Sequence, residues 1–110
     1  MSSHKILIIE DIASLSIAYA GHLETAGFRS VIVDNLADAS TELGHSKAGF
    51  SAVLLDLQLP DGNGLDWLEH NAAILSEIPV IVATADGSIN RAIDAMRLGA
   101  YDFMVKPLSP

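Results

Sequence analysis

The chain contains no cysteine. Disulfides and thiolate metal sites are therefore excluded, and a reducing cytoplasm fits. It is poor in positive charge, with 6 Lys+Arg against 14 Asp+Glu and a net charge of −8. Phosphate contacts need clustered Lys and Arg, so this stretch does not bind nucleic acid by itself. Any DNA-linked role belongs to another domain. No apolar run approaches the length of a membrane span. The start, Met1-Ser2-Ser3-His4-Lys5, leads into only a short apolar run and does not read as a signal peptide. Internal repeats, linkers and low-complexity tracts are also missing. What is present is enough for a core: 110 residues, half of them hydrophobic and 18% charged, suit one folded domain over residues 1–110 and exclude the disordered class.

Short apolar runs alternate with helical patterns, which predicts a parallel α/β sheet. Ile6-Leu7-Ile8-Ile9 is continuous rather than alternating, as in a strand buried on both faces. Leu15, Tyr19, Leu23 and Ala26 recur at helical spacing before a stop at Gly27. Val31-Ile32-Val33 reads as a second strand. Leu36, Ala39 and Leu43 make a weak helix that Gly44 disfavours continuing. Ala52-Val53-Leu54-Leu55 is the third strand, and Pro60-Asp61-Gly62-Asn63-Gly64 is turn chemistry. Leu65, Leu68 and Ala72 suggest a third helix, with Trp67 packing. Pro79 opens a fourth strand, Val80-Ile81-Val82-Ala83. Ser88 is a candidate N-cap for a helix carrying Ile89, Ala92, Ile93 and Met96 and stopped by Gly99. Phe103-Met104-Val105 is the fifth strand.

In open α/β sheets, ligands bind beyond the carboxyl ends of the strands. Glu10 and Asp11 follow the first strand here, Asp56 the third, Thr84 the fourth and Lys106 the fifth. Three clustered carboxylates repel one another unless a cation neutralises them. Hard oxygen ligands with open positions suit Mg²⁺ carrying a phosphate. Lys106 adds a mobile positive charge, Thr84 a hydrogen-bond donor, and an ionised Asp56 a nucleophile able to form an aspartyl phosphate. Singly, each residue has a plainer explanation. An Asp after a strand is often a turn or cap residue, a terminal Thr is ordinary strand chemistry, and a Lys before Pro is commonly solvated. Glu10-Asp11 could merely favour the next helix's N-terminus. Those explanations give no reason for all five residues to meet at one sheet edge.

Together, Glu10-Asp11, Asp56, Thr84-Ala85 and Lys106-Pro107 resemble the receiver domains of bacterial two-component response regulators. Pro60 and Gly64 stand four and eight residues after Asp56, as in that family's pattern. The resemblance runs from about Lys5 to Leu108. It implies a CheY-like five-stranded parallel sheet of order 2-1-3-4-5 flanked by helices, and a phosphoryl group taken from a histidine kinase or phosphotransfer protein onto Asp56. It also implies Mg²⁺ held by Asp11, Asp56 and the backbone carbonyl of Gln58, with Glu10 acting through a metal-bound water. Thr84 and Lys106 would contact the phosphoryl oxygens. Thr84 and Phe103 would form the conformational switch, although Phe103 also reads as plain core. Gln58 and Asp86 would tune phosphate lifetime, and the bond before Pro107 would be cis.

The stretches Thr84–Ser88 and Gly99–Phe103 are similar to receivers of NtrC-type regulators, which are followed by an ATPase domain and a DNA-binding domain. Glu10-Asp11-Ile12-Ala13-Ser14 and Leu59-Pro60-Asp61 look like the LuxO branch. The family's fifth helix is expected to be missing after Leu108-Ser109-Pro110. Met104 would then face an uncovered side of the sheet, favouring a homodimer or poor solubility.

Other readings fit less well. A phosphatase using an aspartyl phosphate would place its nucleophile after the first strand with a second Asp two residues on, but Ala13 stands two past Asp11. A flavodoxin-like binding module would want a Ser/Thr-rich loop where Ile12-Ala13-Ser14-Leu15 lies. A receiver signalling without phosphate would lack a site residue, and none is lacking. His4, His22, His45 and His70 show no metal spacing. Asp94 and Glu42 read as solvated helix faces.

Overall fold

The computed structural model describes residues 4–45 and 49–106. Its elements run β1 (Lys5–Ile9), α1 (Ala13–Thr25), β2 (Arg29–Val33), α2 (Leu36–His45), β3 (Ala52–Leu55), β4 (Gln58–Leu59), β5 (Gly62–Asn63), α3 (Gly64–His70), β6 (Val80–Thr84), α4 (Ile89–Arg97) and β7 (Asp102–Val105). Five strands form one parallel sheet in the order β2-β1-β3-β6-β7, while β4 and β5 make a separate two-stranded hairpin. With the hairpin left out of the count, the order is the expected 2-1-3-4-5, the CheY-like arrangement.

The continuous apolar runs form the central strands because both of their faces are covered. Leu7 and Ile9 of β1, Val53 and Leu55 of β3, and Val80 and Val82 of β6 point into one cluster. Leu36, Ala39, Leu43, Leu65, Trp67, Leu68 and Ala95 from α2, α3 and α4 fill the other side of that cluster. Leu7 and Leu55 are fully buried, so truncating either to Ala would cost about 2–5 kcal/mol. Successive strand residues alternate, so Ile6 and Ile8 face the opposite way, against Ala20, Tyr19 and Leu23 of α1, together with Ala52 and Leu54.

Phe103 packs on the first cluster, the α4 side. Met104 consequently lies on the α1 side. No helix among the described residues covers it there, and it is 39% exposed. The expected cis bond at Pro107 and the stop at Leu108-Ser109-Pro110 fall outside the described residues.

Several local outcomes differ from the sequence expectations. Gly44 sits inside the last turn of α2, because a glycine so near a helix end removes little of the helix. The Pro60–Gly64 turn is a short hairpin closed by Gln58↔Asn63 and Leu59↔Gly62 pairing. The third helix ends at His70, before Ala72, where the Asn71 side chain donates back to the Trp67 carbonyl. A 3₁₀ turn, Ile74–Glu77, follows and buries Leu75. Ser88 caps α4 as expected, accepting from the Arg91 N–H. Gly27 and Gly99, just beyond helix ends, adopt left-handed φ of 95° and 99°.

Candidate functional site

Parallel strands place all their carboxyl ends at one edge, and the backbone ladder runs one residue further. Glu10 N–H donates to the Val33 carbonyl at 3.0 Å, Asp56 N–H to Ile9 at 3.0 Å and Lys106 N–H to Thr84 at 2.9 Å. The residues after β1 and β3 are thereby fixed side by side, and the residue after β7 is fixed one strand further along, next to Thr84 of β6. The structure brings together the acids that the sequence singles out: ligand oxygens of Glu10, Asp11 and Asp56 all lie within 4.8 Å of one another. Glu10 and Asp56 are buried, and Asp11 is exposed at the mouth. The Lys106 ammonium reaches in from β7. It donates to Asp56 Oδ2 at 3.1 Å and to Glu10 Oε1.

Burial pushes the Glu10 carboxyl above its ordinary range, against the lowering effect of the Lys106 hydrogen bond and of the Ile12 N–H that reaches its other oxygen at 3.1 Å. Burial alone would lower the Lys106 amine, but its hydrogen bonds to Glu10 and Asp56 outweigh that and raise it. Two of the three clustered carboxylates, Glu10 and Asp56, thus share one ammonium. A buried ion set of this kind is a weak source of stability, because desolvation consumes most of the attraction. Its donor set, all carboxylate and carbonyl oxygen, fits a hard divalent cation such as Mg²⁺.

Thr84, the last residue of β6, is buried and accepts from the Asp86 N–H at 3.2 Å. A cleft of about 580 Å³ opens over the cluster, lined by Asp11, Ile12, Leu15, Asp56, Gln58, Leu59, Pro60, Ala85 and Lys106. Gln58 belongs to its rim, and the Gln58 N–H donates back to Asp56 Oδ1 at 3.3 Å. A second, small space of about 20 Å³ lies between Gln58, Thr84, Asp86 and Arg91, with Leu57 and Asn63. It is large enough for one water molecule.

Phe103 is half-buried on the face of the sheet that carries Thr84, but the direct strand partner of Thr84 is Val105, and Phe103 pairs with Val82. Gly87 is pressed onto Val105, where a Cβ would stand 2.8 Å from its Cγ2.

Two residues went unnoticed as site builders. Asp61, at the hairpin tip, accepts from the Leu36 and Ala37 N–H groups at 2.8 and 3.0 Å and caps α2 from 25 residues away. Arg91 of α4 pairs with Asp86, its Nε 3.3 Å from Oδ2. The Ser88 N–H, first, and then this arginine hold the Asp86 carboxyl below its usual range. The sequence marks Asp86 and the Ser88 cap, but nothing in the local sequence marks the reach of Asp61 or the pairing of Arg91. His4 shares a hydrogen bond with Ser51, and His70 with the Asp66 carbonyl of its own helix, both away from the cluster.

The description "Response regulator receiver domain" matches residues 6–110. Swarming motility regulation protein RssB of Serratia marcescens is 41% identical over 104 residues, which cover 94% of this chain and 47% of that protein. Regulatory protein LuxO of Vibrio vulnificus is 40% identical over 100 residues, 91% of this chain and 22% of that one. The chain therefore spans less than half the length of these two relatives. The crystal structure of the signal receiver domain of a LuxO repressor protein from Vibrio parahaemolyticus superposes with a TM-score of 0.89 at 32% identity, covering 98% of this chain and 82% of that one. The LuxO branch suggested by the sequence is thus among its relatives. With its sheet order, its acidic strand-end cluster and nearly its whole length matched, this chain belongs to the response regulator receiver domain family.

Proposed function

We propose that the chain accepts a phosphoryl group on Asp56 from the phosphohistidine of a sensor kinase or phosphotransfer protein, and that the change in charge switches an output domain. The observation that carries this reading is the Lys106 ammonium held on Asp56, beside Glu10 and Asp11, at the floor of an open cleft. An Asp56 carboxylate oxygen forms the new bond to phosphorus as the phosphorus–nitrogen bond to the donor imidazole breaks, and the imidazole keeps the electron pair. Lys106 follows the charge onto the phosphoryl oxygens, and the Thr84 hydroxyl donates to one of them. Mg²⁺ held by Asp11, Asp56 and the Gln58 carbonyl, with Glu10 through a water, would neutralise the crowded charge. Attack of water on the acyl phosphate returns the Asp56 carboxylate and releases inorganic phosphate, and Gln58 and Asp86 border the water-sized space next to Thr84, which supports a role in phosphate lifetime. The chemistry is self-catalysed transfer and release, in the service of signalling rather than turnover.

Similarity to LuxO supports an NtrC-type output, an ATPase and a DNA-binding domain regulating transcription in the cytoplasm. The test is intact mass after exposure to acetyl phosphate or phosphoramidate with Mg²⁺. One phosphoryl group should add, and Asp56→Asn should abolish it while keeping the fold. Equal modification of the variant would remove Asp56 from the role.

A further inference from the structure

We propose that Arg91 is a positioning residue for phosphoryl uptake, acting through Asp86: it holds that carboxylate against the start of α4 and offsets its charge at the edge of the site. The inference rests on Asp56 being the phosphoacceptor. Asp86 stands two residues past Thr84, and both of its oxygens are engaged. The Ser88 N–H donates to Oδ1 at 3.1 Å and Arg91 Nε to Oδ2 at 3.3 Å. The Arg91 N–H in turn donates to Ser88 Oγ at 3.3 Å, and the Asp86 N–H to Thr84 Oγ1 at 3.2 Å. One connected set of hydrogen bonds therefore runs from α4 to the buried hydroxyl of Thr84. Arg91 also borders, with Gln58, Thr84 and Asp86, the water-sized space beside the site.

The electrostatic argument concerns an anion entering an acidic protein. The chain carries a net charge of −8, and in the cluster of Glu10, Asp11 and Asp56 one ammonium pairs with Glu10 and Asp56. A phosphodonor is itself anionic, so each uncompensated carboxylate near the mouth lowers the frequency of productive encounter. Asp86 bound to Arg91 is close to neutral as a pair. Without Arg91 its charge is uncompensated, and only the Ser88 N–H still holds it, at Oδ1. The pair is exposed, at 38% for each side chain, so it contributes little to stability. A loss of uptake in a variant that melts normally would thus report on the site and not on folding.

The experiment measures the second-order rate of phosphorylation of the 110-residue protein by acetyl phosphate with Mg²⁺, read by intact mass. Arg91→Ala should slow it roughly two- to five-fold, the range of exposed charge pairs. The deficit should shrink as salt is raised, Arg91→Lys should recover most of the rate, and thermal melting should be unchanged. In an Asp86→Asn background, Arg91→Ala should have no further effect. An equal deficit in that background would overturn the proposal, because Arg91 would then act on the anion directly. So would an unchanged rate for Arg91→Ala in a protein that is otherwise phosphorylated, which leaves only a surface ion pair. If the unsubstituted protein takes up no phosphoryl group, the assignment of Asp56 fails first and this inference falls with it.

Discussion

The first residue of α3, Gly64, lies against the main chain of Asp56. A Cβ on Gly64 would stand 2.5 Å from the Asp56 carbonyl oxygen and 3.0 Å from the Leu57 Cα. The Gly64 N–H also donates to the Leu57 carbonyl at 2.8 Å. The hairpin after β3 thus returns so closely that only hydrogen fits at its end. This contact, and not a special φ, is the reason for glycine at this position.

Gly64→Ala should therefore cost stability, because the clash is with backbone on both counts and cannot be relieved by turning a side chain. Overpacking of this kind costs about 1–3 kcal/mol. It should lower the urea midpoint and, by displacing Asp56, weaken divalent-ion binding as well. A variant as stable as the parent would show that the hairpin yields without strain.

Magnesium should stabilise the protein by relieving repulsion among Glu10, Asp11 and Asp56. At ten times the dissociation constant, linkage gives about 1.4 kcal/mol, a rise of roughly 5–10 °C for a domain of this size. Asp11→Ala should remove most of that rise, since Asp11 is the exposed carboxylate of the cluster at the cleft mouth. A melting temperature indifferent to Mg²⁺ in the unsubstituted protein would argue against a cation site.

Asp61 should make stability depend on acid. Hydrogen bonds from Leu36 and then Ala37 hold its folded pKa below the ordinary value of 3.8. A depressed folded value means that the contribution is present above the unfolded pKa and is lost as pH falls through the folded one. Asp61→Ala should lower the urea midpoint at neutral pH, and the gap to the parent should close below pH 3.8. A gap constant across that range would mean that the cap does not depend on the charge.

Thr84 and Phe103 should move together. The Thr84 hydroxyl is now occupied by the Asp86 N–H, and Phe103 rests half-buried on the same face of the sheet. Drawing Thr84 toward a phosphoryl group would vacate space into which Phe103 can turn, a two-state element biased by one local bond. Phenylalanine has no hydroxyl to hold it outward. Addition of beryllium trifluoride should change the Phe103 ring environment by NMR, and Thr84→Ala should suppress the change. An unchanged Phe103 rotamer in the liganded protein would count against coupling.

The strands and their order of appearance were legible because Ile6–Ile9 and Val80–Ala83 are continuous apolar runs, which water excludes wherever they fall. The cluster was legible because Glu10, Asp56, Thr84 and Lys106 each directly follow or end such a run, and parallel strands must deliver their ends to one edge. The glycine stops at Gly27 and Gly99 were legible as well, since a left-handed residue is a local requirement. Whether Ala72 extended its helix was not, because the Asn71 side chain competes there with the next helical turn.

The amino-acid order by itself therefore determined which residues are strand, which end each strand, and which chemistry meets at the edge. Only the tertiary structure decided that Asp61 caps a helix 25 residues away, that Gly64 must be bare because Asp56 lies behind it, and that Arg91 takes Asp86 as its partner. The physical reason is that burial and backbone preference are written in neighbouring residues. Close approach and charge pairing depend on where separate segments come to lie, which the chain settles only by packing.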